Sequence, residues 1–303
     1  MEDLEFIPGS GNEGRVTKKD ILRYIENKKG GAPAPAEEVI SVHYPTVTQV
    51  ETKEVKPAPA PSRIPIGARD EVIEMDRMRK IIADHMVMSK HTSPHVTSIA
   101  EADVTGMVRW REKHKEEFEK KSGVKLTFTP LFVEAVVQAI HEFPVINGSV
   151  DGNRIIIHKD IHVGVAVALG TAGLIVPVIK NADEKNLTGL AKSVTALAAK
   201  ARDSQLSPDD ISGGTFTITN IGSFGSLMGT PIINQPQAAI LGTGAIKKRP
   251  VVIESKDGDT IGIRSMMYIS LSYDHRIIDG ALGGAFMNKL VEILENFDES
   301  RKI

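Results

Sequence analysis

The chain has 303 residues, 41% hydrophobic and 25% charged, enough for one domain with a sizeable core plus smaller attachments. A net charge of -2 offers no basic field for a nucleic-acid or anionic-membrane partner. The absence of cysteine removes a disulfide frame, a cysteine zinc site and an acyl-enzyme on a thiol.

Met1 to Pro8 lacks the basic start and apolar centre of a signal peptide, and no apolar run reaches the length of a bilayer span. Thr17 and Asp20 resemble a capping box, and Ile21, Leu22 and Ile25 give the helix after it one apolar face. About thirty residues cannot bury enough surface to fold securely alone, so residues 1–29 read as a fragment. Ala-Pro alternation at Ala32-Pro33-Ala34-Pro35 and Ala58-Pro59-Ala60-Pro61 predicts a semi-extended tether over residues 30–70. A plain spacer is the other reading.

The main domain is expected over residues 71–303. A helix from about Asp76 carries Met78, Ile81, Ile82 and Met86 on one side, with Arg79 beside that face. His91 and His95 stand four apart, but Pro94 breaks the helix that would align them on a metal, and no zinc-protease Glu accompanies them. Asp103 or Thr105 caps a charged helix to about Lys121, and Thr129-Pro130 opens a more apolar one through Ala135, Val137 and Ile140. Strands are predicted at Arg154–His158, Ile161–Leu169 and Leu174–Lys180, then a helix from Leu187 to Arg202.

From Ser212 to Asn220 the pattern alternates, placing Thr215, Thr217 and Thr219 on one face, and the strand ends in the glycine-rich loop Ile221 to Gly225. Thr219 at that end could donate to a developing oxyanion, or do ordinary strand duty. The loop lacks the Gly-x-Ser-x-Gly elbow of α/β hydrolases. Further strands are expected between Ala238 and Val252 and from Ile261 to Tyr273, joined by a hairpin at Lys256-Asp257-Gly258. Asp279 to Phe297 then reads as an amphipathic helix. The fold class is α+β.

Between that last strand and helix lies Asp274-His275-Arg276-Ile277-Ile278-Asp279-Gly280. A histidine on such a turn can serve as a general base oriented by its flanking charges. The bland reading is a charged turn with an Asp–Arg pair.

Three segments in one order carry a resemblance: residues 214–220, residues 231–242 and residues 274–280. Together they are similar to the catalytic core of the dihydrolipoamide acyltransferases, the central components of 2-oxo acid dehydrogenase complexes. Gly9 to Ile21 resembles the second half of that family's peripheral-subunit-binding domain, and the Ala-Pro stretch its linker. The resemblance implies a trimeric chloramphenicol-acetyltransferase-like fold with its active site in a channel between subunits. Coenzyme A or acyl-CoA and a lipoyl group would be the substrates. It makes His275 the general base, Thr219 of an adjacent subunit the oxyanion donor, and Asp279 an aspartate that holds the architecture. Arg79 matches the arginine that pairs with that aspartate, and Asn220 takes a supporting role.

The resemblance also implies assembly into a core of 24 or more copies, 2-oxo acid dehydrogenase and dihydrolipoamide dehydrogenase as partners, and no nucleic acid or membrane. Its compartment would be the bacterial cytoplasm or the mitochondrial matrix. The first helix of the peripheral-subunit domain and a lipoyl domain with its lysine are missing from the pattern, so the chain is expected to be a piece of a longer protein. Residues 89–95 and 179–185 look more like branched-chain members, residues 223–228 more like succinyl members, and a branched-chain or short-chain acyl group is expected. Two rivals differ in class: a non-catalytic scaffold, whose mark would be loss of His275, and a stand-alone acetyltransferase, against which the tether argues.

Overall fold

The computed structural model describes residues 64–303, apart from 171, 172 and 257, together with Lys18. The capping pair Thr17 and Asp20 and the linker up to residue 63 lie outside the described residues, as does Asp257 of the expected hairpin. Residues 1–70 and 71–303 are separate compact units. In the first, the Gly67 amide donates to Asp70 Oδ2 at 2.6 Å and closes a short turn.

The second unit is built on a mixed sheet. Its strands run in the order β1 (His95–Asp103), β11 (Thr260–Asp274), β9 (Ala239–Thr243), β8 (Phe216–Asn220), β4 (Val163–Val165) and β7 (Val178–Ile179), with β10 (Lys247–Ile253) also paired to β11. β8 is parallel to β4 and β9, and the other pairings in this sheet are antiparallel. Two small hairpins, β2 (Gly148–Asp151) with β3 (Arg154–Ile157) and β5 (Val167–Ala168) with β6 (Leu174–Ile175), stand apart. The helices are α1 (Arg77–Thr92), α2 (Thr105–Ser122), α3 (Phe128–Glu142), α4 (Leu187–Arg202) and α5 (Gly280–Glu295). This is the expected α+β class.

Strand periodicity decides which side chains meet the helices. Met267, Ile269, Leu271 and Tyr273 of β11, Ala239 and Leu241 of β9, and Phe216 and Ile218 of β8 point to one face. They join Leu131, Val133, Val136, Ala139 and Ile140 of α3 and Phe286, Leu290 and Leu294 of α5 in one apolar core. α3 is apolar almost all round and is accordingly buried, whereas α2 buries only Met107, Trp110 and Phe118 and leaves its charges in solvent. Phe286 lies at the centre, its ring 6.3 Å from both Phe143 and Phe216.

The opposite face of the sheet is small and polar, with Thr97, Thr217, Ser270, Ser272 and Asp274. A segment through Ile233, Gln235 and Gln237, with a turn at residues 235–236 and an isolated bridge from Gln237 to Ser149, is tied to it by side chains. Ser89 of α1 donates to the Ile233 carbonyl at 2.6 Å, and Thr217 Oγ1 donates to Gln237 Oε1 at 2.6 Å. The Ile233 amide donates to His95 Nε2 at 3.0 Å while His95 Nδ1 lies 2.7 Å from the Ser93 carbonyl. Those two bonds fix His95 as the neutral imidazole with its proton on Nδ1, spent on the backbone.

Candidate active site

His275 is the first residue after β11. Its neighbour Asp274 still pairs with His95, and the chain then leaves the sheet in a turn over residues 275–277. The imidazole is exposed, with its ring 6.3 Å from that of Tyr273 and close to parallel. The His275 amide donates to the Pro94 carbonyl at 3.0 Å, anchoring the backbone but not the ring. Among the described residues neither ring nitrogen has a hydrogen-bond partner.

The charges flanking His275 are paired with each other. Asp274 is only 1% exposed. Its Oδ1 accepts from the Arg276 amide and from Arg276 Nε, both at 3.0 Å, and its Oδ2 accepts from Arg276 Nη2 and Ser93 Oγ, both at 2.6 Å. Burial pushes the Asp274 carboxyl upward, but the bonds from Arg276 and Ser93 outweigh it and hold the group below the usual carboxylate range. The same contact raises the Arg276 guanidinium. Gln235 Nε2 completes the cluster by donating to Ser93 Oγ at 2.6 Å. Gln235 also lines a cavity of about 690 Å³ whose walls include His85, His158 and His162. Ser93 and Gln235 were not among the residues singled out from sequence, and their separation from Asp274 along the chain leaves no local signal for them.

Asp279 is the N-cap of α5, its Oδ1 accepting from the Leu282 amide at 2.8 Å. This cap bond engages Oδ1 alone. Arg79 lies on α1, its guanidinium nitrogens 3.9 Å from where a Cβ on Gly173 would stand.

Thr219 is half-buried near the end of β8, facing away from the helices, and its hydroxyl has no partner among the described residues. Asn220, the next residue, faces the other way and lines a cavity of about 250 Å³ with Phe128 and Phe132. Its Oδ1 accepts from the Ser223 amide at 3.3 Å, and its carbonyl accepts from Ser223 Oγ at 2.9 Å, closing the loop that follows Thr219. Gly222 in that loop sits so close to the β9–β10 connection that a Cβ would lie 2.5 Å from Gly244 C and O.

The sheet register gives the distance between the two reacting groups. Thr219 is opposite Gly242 and Gly242 is opposite Ser270, so two strand spacings, roughly 10 Å, separate Thr219 from β11. His275 lies five residues beyond Ser270, roughly 17 Å further along that strand. Within one protomer the imidazole and the hydroxyl are therefore on the order of 20 Å apart.

A mixed sheet backed by helices, with a histidine on the turn that ends β11 and a threonine before a glycine-rich loop, fits the frame of an acyltransferase. The family described as 2-oxoacid dehydrogenases acyltransferase (catalytic domain) matches residues 67–300, and the chain belongs to it. The chain is 44% identical to the lipoamide acyltransferase component of the branched-chain alpha-keto acid dehydrogenase complex of Bacillus subtilis, covering 99% of this chain and 69% of that protein. Among solved structures, the probable dihydrolipoamide acetyltransferase of Listeria monocytogenes matches with a TM-score of 0.74 at 44% identity, covering 78% of this chain and 99% of that one. The dihydrolipoamide acetyltransferase of Azotobacter vinelandii, investigated for the role of a serine, a histidine and an asparagine in its catalytic mechanism, matches with a TM-score of 0.72 at 37% identity, covering 77% of this chain and 96% of that one. The chain spans 69% and 66% of the first two curated relatives, about two thirds of their length.

Proposed function

We propose that the chain transfers an acyl group between the thiols of dihydrolipoamide and coenzyme A, at a site made by two copies. The observation that carries this reading is the separation of His275 from Thr219. Among the described residues neither side chain has a hydrogen-bond partner, and a second copy can bring the two groups together.

His275 is the general base. Its neutral imidazole takes the proton of the attacking thiol as the new S–C bond forms, for an acceleration on the order of 10²–10⁴. Thr219 of the neighbouring copy donates to the tetrahedral oxyanion, for an added factor on the order of 10²–10³. Collapse then breaks the original C–S bond, and the imidazolium returns the proton to the departing thiolate. Asp279 holds the start of α5 just behind the histidine turn. The catalytic asparagine of the Azotobacter relative stands four positions beyond its histidine, the offset that separates Asp279 from His275 here. Asn220 shapes the loop behind Thr219, and Arg79 is assigned to the same architecture from α1.

The working unit is a homotrimer that assembles into a larger core, with 2-oxo acid dehydrogenase and dihydrolipoamide dehydrogenase as partners and a lipoyl group presented by another domain. Its place is the bacterial cytoplasm or the mitochondrial matrix. The Bacillus relative's branched-chain complex supports a branched-chain or short-chain acyl group. The test is acyl transfer from a panel of acyl-CoAs to dihydrolipoamide, with His275→Ala as control. The expected result is a loss on the order of 10²–10⁴ in the variant, with branched-chain acyl-CoAs among the best donors. Equal rates for the two proteins would sink the assignment.

A further inference from the structure

The histidine turn lies outside the sheet ladder and before the helix. Sheet pairing ends at Asp274, residues 275 and 276 are exposed, and the first helical bond of α5 comes only after Asp279. The Ile277 and Ile278 amides close the turn onto the Asp274 carbonyl and Ile278 is buried beneath it, while the turn's outer side is tied to one strap of chain, Ser93 to His95, which links the end of α1 to β1. The Pro94 carbonyl holds the His275 amide, and Ser93 Oγ holds the Asp274 carboxylate that in turn grips Arg276 through its amide and guanidinium.

We infer that Ser93 is a positioning residue for His275, acting through Asp274. This rests on the reading of His275 as the base. Ser93 is 1% exposed, and its hydroxyl is used in both senses, donating to Asp274 Oδ2 and accepting from Gln235 Nε2, each at 2.6 Å. A hydroxyl has one proton to give, and here it goes to the carboxylate. Removing it leaves Oδ2 with Arg276 as its remaining donor and the Gln235 amide without its acceptor. The carboxylate keeps its bonds from the Arg276 amide and guanidinium but loses the side-chain bond that ties it to the Ser93–His95 strap, so the Asp274–Arg276 pair can shift as a unit. Because Arg276 follows His275 directly, that motion is passed to the imidazole. Misplacement by about 1 Å is enough to cost on the order of 10²-fold in rate, so even a fraction of that displacement is readable. Ser93 touches no reacting atom, so substrate affinity is left alone.

The experiment compares wild type, Ser93→Ala and Ser93→Cys, each alone and combined with His275→Ala, in the assembled protein. Cysteine nearly matches serine in size but is a weak donor, so it keeps the packing and loses the bond. Both single variants are expected to lower kcat about tenfold while KM stays within about twofold. In the His275→Ala background, Ser93→Ala is expected to change the residual rate by less than about twofold, because the group it positions is gone. Full kcat in Ser93→Cys would overturn the inference, and so would an equal loss with and without His275. If His275→Ala itself kept the wild-type rate, the general-base reading would fall and take this one with it; full activity of the Ser93 variants beside a dead His275→Ala would remove this inference alone.

Discussion

Asp274 carries its charge at 1% exposure, which makes it the residue whose removal is most legible in stability. Its carboxyl is held below the usual range by Arg276 and Ser93 against the opposing effect of burial. A carboxylate with a depressed folded pKa contributes stability above its unfolded pKa, roughly 3.9, and that contribution is lost as pH falls through the folded value. Asp274→Asn places an amide NH₂ against the donors of Ser93 or Arg276. It is expected to cost about 2–4 kcal/mol at pH 7, read by urea unfolding at fixed protein concentration. The difference from wild type should begin to shrink below about pH 4, where the unfolded carboxylate takes up its proton, and be lost as pH falls through the lower folded value. A gap that is the same at pH 3 and pH 7 would show that shape rather than charge is what the site needs. Sequence could show half of this. The adjacency of Asp274 and Arg276 announces an ion pair, and the turn proves to hold both that pair and an unengaged histidine. Ser93 lies 181 residues away, and only the fold brings it to Asp274.

At the scale of elements, apolar periodicity made the helices legible because their stripes are strong. α3 buries nine of its residues and stands out in sequence as the most apolar helix of the chain's middle. β1 was not expected at all. His95 to Asp103 has Ile99 on the face opposite Ala100 and Ala102, so its alternation is masked, and its role is visible only through its pairing with β11. The predicted strand Ile161–Leu169 is broken into β4 and β5, and Leu174–Lys180 into β6 and β7, the latter around Pro177, which cannot donate to a ladder. Two variants test the elements. Phe286→Ala removes the ring packed between Phe143 and Phe216 and is expected to destabilise by about 3–5 kcal/mol, measured by the same denaturation. Gly222→Ala forces the loop after Thr219 off Gly244 and is expected to lower kcat about tenfold or more with the circular dichroism spectrum unchanged. Wild-type activity in that variant would mean that the loop does not set the position of the threonine hydroxyl.

For the whole molecule, the protomer's surface is as telling as its site. α1 presents Met78, Ile81, Val87 and Met88 at 58, 54, 60 and 44% exposure; of the apolar face foreseen for this helix, Met78 and Ile81 are uncovered while Ile82 and Met86 are half-buried. A run of that kind along one helix is the mark of a surface that another chain covers. It agrees with a site whose two halves are on the order of 20 Å apart in one copy. The arrangement makes a prediction that a site within one protomer cannot satisfy. Thr219→Ala and His275→Ala are each expected to give assemblies with little activity, because every interface lacks one group. Co-assembly of the two changes this, since an interface that takes His275 from the threonine variant and Thr219 from the histidine variant is intact. With head-to-tail contacts in a closed ring and random mixing at equal amounts, about a quarter of the interfaces meet that condition. Co-expressed variants should therefore recover about a quarter of wild-type activity, and the same two proteins purified apart and mixed without subunit exchange should recover none. If co-assembly is verified by sizing and activity stays absent, the histidine and the threonine do not serve one site across an interface.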